Sequence, residues 1–155
     1  MKILVVYYSR TGVTRQVGEA IAGALNGDGE EIVDLKDRSG SIGYINAGRD
    51  ATFKLQTKIK PLEKQPADYD LVIIGTPVWA WNMTPAARTY IVQNKERFVR
   101  CAFFCTMGGA GGERTIRKMS ELAGKKHPSS PILLTKEVVN NQYEDKVKKF
   151  IAELW

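Results

Sequence analysis

The feature that most constrains the fold of this sequence is a strict alternation of short strand-like runs with segments of helical periodicity. Five runs, most of them apolar and rich in β-branched residues, are predicted to be strands: residues 3–8, 31–36, 71–76, 101–106 and 131–139. Parallel strands need crossover connections, and helices commonly supply them. The alternation therefore predicts the α/β class, as a three-layer, doubly wound, five-stranded parallel sheet.

The helical segments between these runs have recognisable beginnings. Helices are predicted over residues 14–25, 85–93 and 143–154 and after residue 112. Thr84 and Pro85 form an N-cap followed by a first-turn proline, which is typical of a helix start. We expect a single domain over residues 1–155, with an irregular elaboration at residues 37–68 between the second and third strands. This stretch could hold a second helix plus an elaboration near the site.

Composition and charge exclude several classes of protein. The longest apolar stretch, residues 71–81, is interrupted by Gly75 and Pro77 and is too short to span a bilayer, so no membrane insertion is expected. The net charge is +6, but Lys and Arg are interleaved with Glu and Asp, so no nucleic-acid-binding stripe is expected. The apolar run before Arg10 is too short for a signal-peptide core, and we expect a cytoplasmic protein. No metal site is predicted.

The connection after the first strand is the most informative motif. Residues 9–15 read SRTGVTR, with three hydroxyl side chains and two arginines but no carboxylate. Backbone N–H groups and the dipole at a helix N-terminus favour an anion, and an aspartate there would repel a phosphate. The hydroxyls could instead only cap the helix. Neither Gly-x-x-x-x-Gly-Lys nor Gly-x-Gly-x-x-Gly is present, which excludes the two common nucleotide loops.

The connection after the third strand carries two tryptophans. Residues 75–85 read GTPVWAWNMTP, which places Trp79 and Trp81 at the carboxyl end of a strand. An exposed indole there favours a flat ligand, although either ring could instead pack on a neighbouring helix. Because ligands of open α/β sheets bind beyond the carboxyl ends of the strands, the two loops together predict a phosphorylated planar heterocycle.

These residues resemble the flavodoxins and the wider flavodoxin-like FMN-binding proteins over essentially the whole chain. The family's first loop, Ser/Thr-x-Thr-Gly-x-Thr, binds the FMN phosphate, and residues 9–14 match it in full. Trp79 matches the tryptophan that stacks on the isoalloxazine. Residues 105–112, CTMGGAGG, match the loop that wraps the pyrimidine side of the flavin. The resemblance implies FMN as the cofactor and the strand order 2-1-3-4-5.

The resemblance also implies which residues hold the cofactor. The expected FMN-binding residues are Ser9, Arg10, Thr11, Gly12, Val13, Thr14, Pro77, Val78, Trp79, Ala80, Trp81, Asn82, Thr106, Met107, Gly108 and Gly109. No catalytic side chain is expected. Cys105 is interpreted as a small apolar strand residue and His127, the only histidine, as a surface residue.

Three features depart from the electron-carrier flavodoxins. This chain is basic whereas carriers are usually acidic, so we do not expect it to dock by the carriers' electrostatic scheme. The third loop lacks the aromatic residue that carriers commonly place against the second flavin face. Ala80 stands where carriers often have glycine, and a positive φ costs alanine roughly 1 kcal/mol or more relative to glycine. We therefore expect the one-electron-reduced flavin to be less stabilised than in carriers.

Two functions are compatible with this sequence. The first is an FMN-binding, flavodoxin-like redox protein that acts in electron transfer between partner proteins. The alternative is a small FMN-dependent NAD(P)H oxidoreductase, quinone-reductase-like, in which a second subunit of an oligomer would complete the site. A scaffold of the same fold that has lost FMN is a third interpretation, and the intact first loop argues against it.

Overall fold

The computed structural model describes residues 1–52, 54–126 and 129–155, so the prediction for His127 lies outside the described residues. A single sheet of five parallel strands has the order 2-1-3-4-5, which confirms the predicted fold class and topology. The strands are β1 (Ile3–Tyr7), β2 (Asp28–Glu31), β3 (Leu71–Pro77), β4 (Cys101–Met107) and β5 (Ile132–Leu134). Every residue of β1 is buried, as is nearly every residue of β3 and β4, because helices cover both faces of the sheet.

Six α-helices connect and flank the strands in the described chain. They are α1 (Val13–Ala24), α2 (Gly40–Thr52), α3 (Pro85–Asn94), α4 (Gly112–Ala123), α5 (Thr135–Val139) and α6 (Glu144–Ala152). The predicted cap of α3 is present, because the Thr84 side chain accepts a hydrogen bond from the Ala87 amide and Pro85 occupies the first turn. None of the described helices is both long enough and apolar enough to span a membrane.

The alternation of side chains along each strand divides the core into two layers. On one face, Val6 and Ile74 pack with Tyr90 of α3 and Met119 of α4. On the other face, β-strand residues such as Ile73 pack with apolar residues of α1, α5 and α6. Strand residues separated by two positions lie on the same face, so each strand contributes to both layers.

The predicted second strand, residues 31–36, is wrong in position. β2 is Asp28–Glu31, which pairs with β1 from Leu4 to Tyr7. Beyond Ile32 the chain leaves the sheet and pairs antiparallel with another segment, where the Leu35 amide donates to the Lys58 carbonyl at 2.9 Å. The sequence signal was weak because β2 is an edge strand of polar residues, partly exposed to solvent, and needs no apolar periodicity.

The predicted fifth strand, residues 131–139, is too long. Only Ile132–Leu134 pairs with β4, and residues 135–139 form helix α5. The Glu137 carboxylate accepts a hydrogen bond from the Leu134 amide at 2.9 Å, which stabilises the start of that helix. The β-branched residues after Leu134 therefore belong to a short helix that packs on α1.

The topology determines where a ligand site can form. The connection from β1 leads to β2 on one side, whereas the connection from β3 leads to β4 on the other. At such a switch point the loops leave in opposite directions and open a crevice beyond the carboxyl ends of the strands.

Candidate functional site

A cavity of about 440 Å³ opens at this switch point. The loops after β1, β3 and β4 line it, and α2 and the start of α5 contribute as well. The predicted site residues that line it are Arg10, Thr11, Val13, Thr14, Pro77, Val78, Trp79, Ala80, Trp81, Thr106, Met107 and Gly108. The structure thus brings three loops, far apart in the sequence, to one cavity.

Four predicted residues do not line this cavity: Ser9, Gly12, Asn82 and Gly109. A larger cleft of about 710 Å³ lies on the β2 side of the first loop and shares Arg10 and Thr11 with the cavity. All three loops predicted to bind the ligand meet at the smaller cavity, whereas the larger cleft contacts only the first of them.

The first loop forms an uncapped helix start. Gly12 is the N-cap of α1 with a φ of 96°, and no side chain of the described chain caps this helix. The Ser9 hydroxyl accepts a hydrogen bond from the Gly12 amide at 3.0 Å, one residue before the helix begins. The first intrahelical bond runs from the Gln16 amide to the Gly12 carbonyl. The backbone N–H groups of the first turn therefore remain free to donate hydrogen bonds to a ligand. The first turn also contains no acidic residue that would repel an anion.

Thr14 connects the first loop to the third. Its side chain is buried, and its Oγ1 lies 2.8 Å from Oγ1 of Thr106 at the end of β4. Each hydroxyl has a single hydrogen to donate, and this bond uses only one of the two. The other hydroxyl hydrogen stays available to a ligand in the cavity that both residues line.

The two arginines of the first loop bond to groups on the β2 side of the sheet. Arg10 donates from Nε to the Arg38 carbonyl at 2.8 Å, and its guanidinium lies over the Tyr44 ring at 5.6 Å. Arg15 makes a two-pronged pair with Glu31 of β2, at 2.9 and 2.8 Å, and this pair raises the pKa of Arg15. Both arginines therefore anchor the loop to the β2 side of the sheet, and Arg15 does not line the cavity.

The second loop contains a tight turn in an unusual conformation. Trp79 and Asn82 exchange two backbone hydrogen bonds, at 2.9 and 3.0 Å, across Ala80 and Trp81, whose φ angles are 50° and 58°. Two successive positive φ angles define the type I′ turn, which usually contains Asn-Gly. An L-residue in this region costs roughly 1 kcal/mol or more, so the turn stores local strain beside the cavity.

The buried side chain of Asn82 supports this turn from beneath. Its Oδ1 accepts hydrogen bonds from the Met83 amide at 2.9 Å and from Nη2 of Arg88 at 3.1 Å. Burial lowers the pKa of the Arg88 guanidinium. The Asn82 side chain points into the fold, so the structure gives it a supporting position beneath the loop.

The two tryptophans of this loop have different environments. Trp79 is partly buried, meets the Tyr8 ring edge-on at 5.5 Å and lies beneath the guanidinium of Arg38 at 5.9 Å. Trp81 is 58% exposed. It packs beside Gly111, where an added Cβ would stand 2.8 Å from Trp81 Cδ1. The rigid ring is therefore Trp79, and Trp81 closes the gap between the second and third loops.

The third loop is open and contains no aromatic residue. Gly108, Gly109 and Ala110 are exposed, and Gly111 is the N-cap of α4. Cys105, just before this loop, is buried, and burial raises the pKa of its thiol to about 12. A raised pKa favours the protonated thiol, whereas the thiolate is the nucleophilic form. In the described residues no group of His, Cys, Asp and Glu is arranged to bind a metal ion.

Four residues that line the cavity were missed at the level of sequence. Tyr44, Ala47 and Gly48 come from α2, and Thr135 begins α5 and donates to the Met107 carbonyl at 3.1 Å. A signal for α2 is present, because Gly43, Ala47 and Ala51 recur every fourth residue. Small residues at this spacing indicate a helix that packs closely, and all three are buried.

Comparisons with known proteins agree with this architecture. The model of the family described as Flavodoxin matches residues 2–154. A flavoprotein from Lactobacillus acidophilus NCFM, solved in complex with FMN, superposes with a TM-score of 0.73 at 21% identity, covering 91% of this chain and 97% of that one. A putative flavoprotein from Bacteroides eggerthii gives 0.72 at 22% identity, covering 95% and 98% of the two chains. Oxidised Flavodoxin 1 from Bacillus cereus gives 0.54 at 12% identity and covers both chains fully.

Proposed function

The chain belongs to the flavodoxin family, and on that basis we propose that it binds FMN in the cavity beyond β1, β3 and β4 and acts in electron transfer. The cavity volume of about 440 Å³ lies within the range of roughly 300–1,000 Å³ that is typical of small-molecule sites. Bound FMN would supply reversible redox chemistry, taking up electrons and protons from a donor and returning them to an acceptor. The protein residues bind and orient it.

The observation that carries this proposal is the uncapped start of α1. Its free amides, the exposed Thr11 hydroxyl and the shared Thr14–Thr106 hydroxyl pair offer several donors around one point, and no carboxylate lies in the first turn. This donor set fits a phosphate, which binds at helix N-termini through backbone N–H groups and the helix dipole. We propose that the phosphate of FMN occupies this position.

Two further loops fit the rest of the cofactor. Trp79 is held in one orientation by Tyr8 and Arg38 and lines the cavity, so it supports a stacked ring system. Met107 and Gly108 also line the cavity, and at Gly108, which has no side chain, the backbone can approach a heterocycle closely. Arg10 and Tyr44 close the side toward α2.

One observation favours the alternative function. The third loop is exposed at Gly108, Gly109 and Ala110 and offers no aromatic cover, which leaves room for a second planar substrate. In that reaction NAD(P)H is oxidised to NAD(P)⁺, and a quinone is reduced to its hydroquinone by the two electrons and one proton of the hydride plus one proton from solvent. A cytoplasmic location and an oligomeric state stay predictions from the sequence.

The two functions are separable in one series of experiments. The purified protein is mixed with FMN, the bound fraction is measured by flavin fluorescence quenching, and NAD(P)H is then added without oxygen. Loss of the yellow flavin absorbance with NAD(P)H alone supports the oxidoreductase. Loss that needs an added flavodoxin reductase supports the electron carrier. Absence of FMN binding at micromolar concentrations contradicts both.

Riboflavin provides a matched test of the phosphate assignment. It carries the same ring system and ribityl chain as FMN but lacks the phosphate. Because two or three charge-assisted hydrogen bonds are lost, we expect riboflavin to bind about a hundredfold more weakly. Equal affinities would show that the start of α1 does not hold the phosphate.

A further inference from the structure

An apolar patch is exposed on α2 at the edge of the cavity. Its members are Ile42, Tyr44 and Ile45, which are 76%, 69% and 67% exposed. Tyr44 also lines the cavity, so the patch reaches the opening of the proposed cofactor site. Trp81 of the second loop is 58% exposed and lines the same cavity. We call Ile42, Tyr44 and Ile45 the α2 patch.

The side chains of α2 are distributed in the reverse of the usual order for a surface helix. Such a helix normally buries its large apolar residues and exposes polar ones. In α2 the small residues Gly43, Ala47 and Ala51 are buried, whereas Ile42 and Ile45, three positions apart, are exposed neighbours. Large apolar side chains that are exposed together and bordered by polar residues mark interaction sites. The outer side of α2 therefore has the properties of a contact surface.

Cations border the α2 patch. The Arg10 guanidinium lies over the Tyr44 ring at 5.6 Å. Arg49 follows the patch by one helical turn, and its side chain is 53% exposed. Lys36 and Arg49 both bind Asp50, at 2.7 and 3.0 Å, which places the Lys36 ammonium at the same end of the helix. The Asp50 side chain is only 5% exposed, so it is the cations that a partner would meet.

The segment that contains the patch concentrates the positive charge of the chain. Residues 33–60 contain six Lys and Arg against three Asp, a net charge of +3, which is half of the +6 of the whole chain. The side chains of Asp34 and Asp50 are almost fully buried against Arg38. Asp37 is therefore the exposed carboxylate of this segment.

Exposed cations elsewhere on the surface are balanced differently. On α4, Arg117 and Lys118 pair with Glu121 at 3.9 and 3.4 Å, and on α6, Lys148 pairs with Glu144 at 3.9 Å. Both of these carboxylates are more than half exposed, so they offset the neighbouring cations at the surface itself. The charge around the α2 patch lacks this balance, and carboxylates of a partner would supply it.

We propose that the α2 patch is a docking surface for an acidic electron-carrier protein, which covers the patch with apolar side chains and pairs carboxylates with the bordering cations. The inference rests on the proposed function, because it names the kind of protein that exchanges electrons with the bound flavin. Complexes of electron-transfer proteins are small, below about 1,200 Å² of buried surface in total, and a patch of three large side chains suits that size.

Charge argues against a second copy of this chain as the occupant. In a symmetric dimer the same patch lies on both sides of the interface, so Arg10 and Arg49 of one copy would approach the same cations of the other. Like charges across an interface cost free energy, whereas an acidic partner turns the same cations into attractive contacts that also speed up association. The acidic carrier is therefore the occupant that fits.

The test uses plant-type ferredoxin, an acidic iron–sulfur protein that carries one electron, as the probe. Two reduced ferredoxins each lose one electron, and the flavin takes up both electrons together with two protons from solvent. The rate of loss of flavin absorbance is followed without oxygen at increasing ferredoxin concentration, which gives an apparent dissociation constant. For the wild type we expect this constant to rise about tenfold between about 20 mM and about 500 mM salt.

Two pairs of matched variants locate the contact. Ile45→Asn should raise the apparent dissociation constant about tenfold at both salt concentrations, because burial of an apolar side chain is not screened by ions. Val99→Asn should stay within about twofold, since Val99 is 61% exposed but precedes β4, at the opposite edge of the sheet from the cavity. If Ile45→Asn does not fold, Ile42→Asn replaces it with the same expectation.

The second pair removes one positive charge at each of two places. Arg49→Gln should raise the apparent dissociation constant about threefold at low salt and leave it unchanged at high salt. Lys148→Gln removes an exposed charge of α6 and should change it less than 1.5-fold at either salt concentration, roughly the value for a screened distant charge. Equal effects of the two substitutions would mean that only the net charge attracts the probe, and would overturn the proposed surface.

The outcomes also separate this inference from the proposed function. Binding of FMN by the wild type is measured first, and its absence overturns both. If FMN binds but reduced ferredoxin does not reduce it, or if Ile45→Asn and Val99→Asn behave alike, the inference is wrong while FMN binding stands. Sedimentation of the wild type and Ile45→Asn tests the other occupant, and a wild-type dimer that the substitution dissociates would assign the α2 patch to a second copy and overturn the acidic partner.

Discussion

Helices α1 and α4 begin at the same edge of the sheet with nearly the same backbone conformation. The N-cap of α1 is Gly12 with a φ of 96°, and the N-cap of α4 is Gly111 with a φ of 93°. Neither helix start is capped by a side chain in the described part of the molecule. Judged by backbone geometry alone, the two starts are equivalent anion sites.

Their surroundings differ in every other respect. The loop before α1 supplies the hydroxyls of Ser9 and Thr11, and its first turn has no acidic residue. The loop before α4 supplies only glycines and an alanine, and Glu113 lies in the first turn, where it complements the dipole. Trp81 packs directly against Gly111. Side chains, and not the helix start itself, distinguish α1, where we propose the phosphate site, from α4, whose start packs against Trp81.

The largest expected effect compares a carboxylate placed at the two equivalent positions. Thr11 precedes Gly12 and is exposed in the cavity, and Ala110 precedes Gly111 and is also exposed. In Thr11→Asp, repulsion of the phosphate should weaken FMN binding by about 3 kcal/mol, more than a hundredfold. Ala110→Asp should leave FMN affinity within about threefold, because it lies outside the cavity. Titration of both variants with FMN measures the two affinities and shows which helix start lies close to the phosphate.

Thr11→Asn serves as the neutral control for this measurement, since asparagine has the shape of aspartate without its charge. Retained affinity in Thr11→Asp would contradict the phosphate assignment. Thr14→Asp is a less informative variant. Its carboxylate would be buried beside Thr106, so a loss of binding would mix repulsion with misfolding.

The next effect concerns the stability of the start of α4, which packs against Trp81. At Gly111 an added Cβ would lie 2.8 Å from Trp81 Cδ1, 2.9 Å from Trp81 Cα and 3.0 Å from Val78 Cγ1. Gly111→Ala therefore combines overpacking with an unfavourable φ and should lower the free energy of unfolding by about 2–3 kcal/mol. Urea denaturation without ligand measures it. A change below about 1 kcal/mol would mean that the loop relaxes freely.

The same substitution at the other helix start should cost less. At Gly12 an added Cβ meets only the Arg15 Nη1 atom, at 3.7 Å, so Gly12→Ala carries the φ penalty without a clash. We expect a loss of about 1–2 kcal/mol in the same urea experiment. Finding Gly12→Ala more destabilising than Gly111→Ala would reverse our interpretation of which helix start is tightly packed.

A third left-handed position in the site is occupied by alanine. Ala80 has a φ of 50° in the Trp79–Asn82 turn. Ala80→Gly relieves this strain but adds conformational entropy to the unfolded chain, so a net gain in stability of about 0.5–1 kcal/mol is expected. A rise in the thermal midpoint checks it, and an unchanged or lower midpoint would show that the turn is not strained.

The smallest effect concerns the acidic residue that distinguishes the two starts. Glu113 is exposed in the first turn of α4, where a negative charge interacts favourably with the helix dipole. Glu113→Gln should reduce stability by about 0.5 kcal/mol at low ionic strength and by less at high salt. At α1 the corresponding experiment adds an anion to the helix start. Binding of inorganic phosphate there should raise the thermal midpoint of the apoprotein. A rise of equal size in a Thr11→Asp variant would be inconsistent with an anion site at that loop.

The alternation of strands and helices made most of the fold predictable, and the failures have identifiable causes. β1, β3 and β4 are continuous apolar runs because they are buried on both faces. The position of β2 was predicted wrongly because Asp28–Glu31 is a polar edge strand without an apolar pattern. β5 was predicted too long because the β-branched residues of α5 have the composition typical of a strand. In both cases the apolar pattern of the sequence reports which residues are buried, and burial depends on how the elements pack in the folded protein.

The candidate site, like the fold, was predictable from the sequence only in part. The loop chemistry was visible in SRTGVTR and in the tryptophan pair, because helix starts and glycine turns are local features. The contribution of Tyr44 and its neighbours in α2 was not visible, since α2 reaches the cavity only after it packs against α3. Asn82 stays a predicted cofactor-binding residue, and the structure adds that its side-chain oxygen accepts a hydrogen bond from Arg88 beneath the turn.

The sequence by itself determined the fold class, the strand order implied by the family resemblance, and the three loops that carry hydroxyls, indoles and glycines. Only the tertiary structure decided that Thr14 bonds to Thr106, ninety-two residues away, and that the buried Arg38 lies over Trp79. The reason is physical. Periodicity and turn chemistry depend on near neighbours in the chain, whereas a contact between distant residues depends on how complete elements pack, and no local pattern encodes that distance.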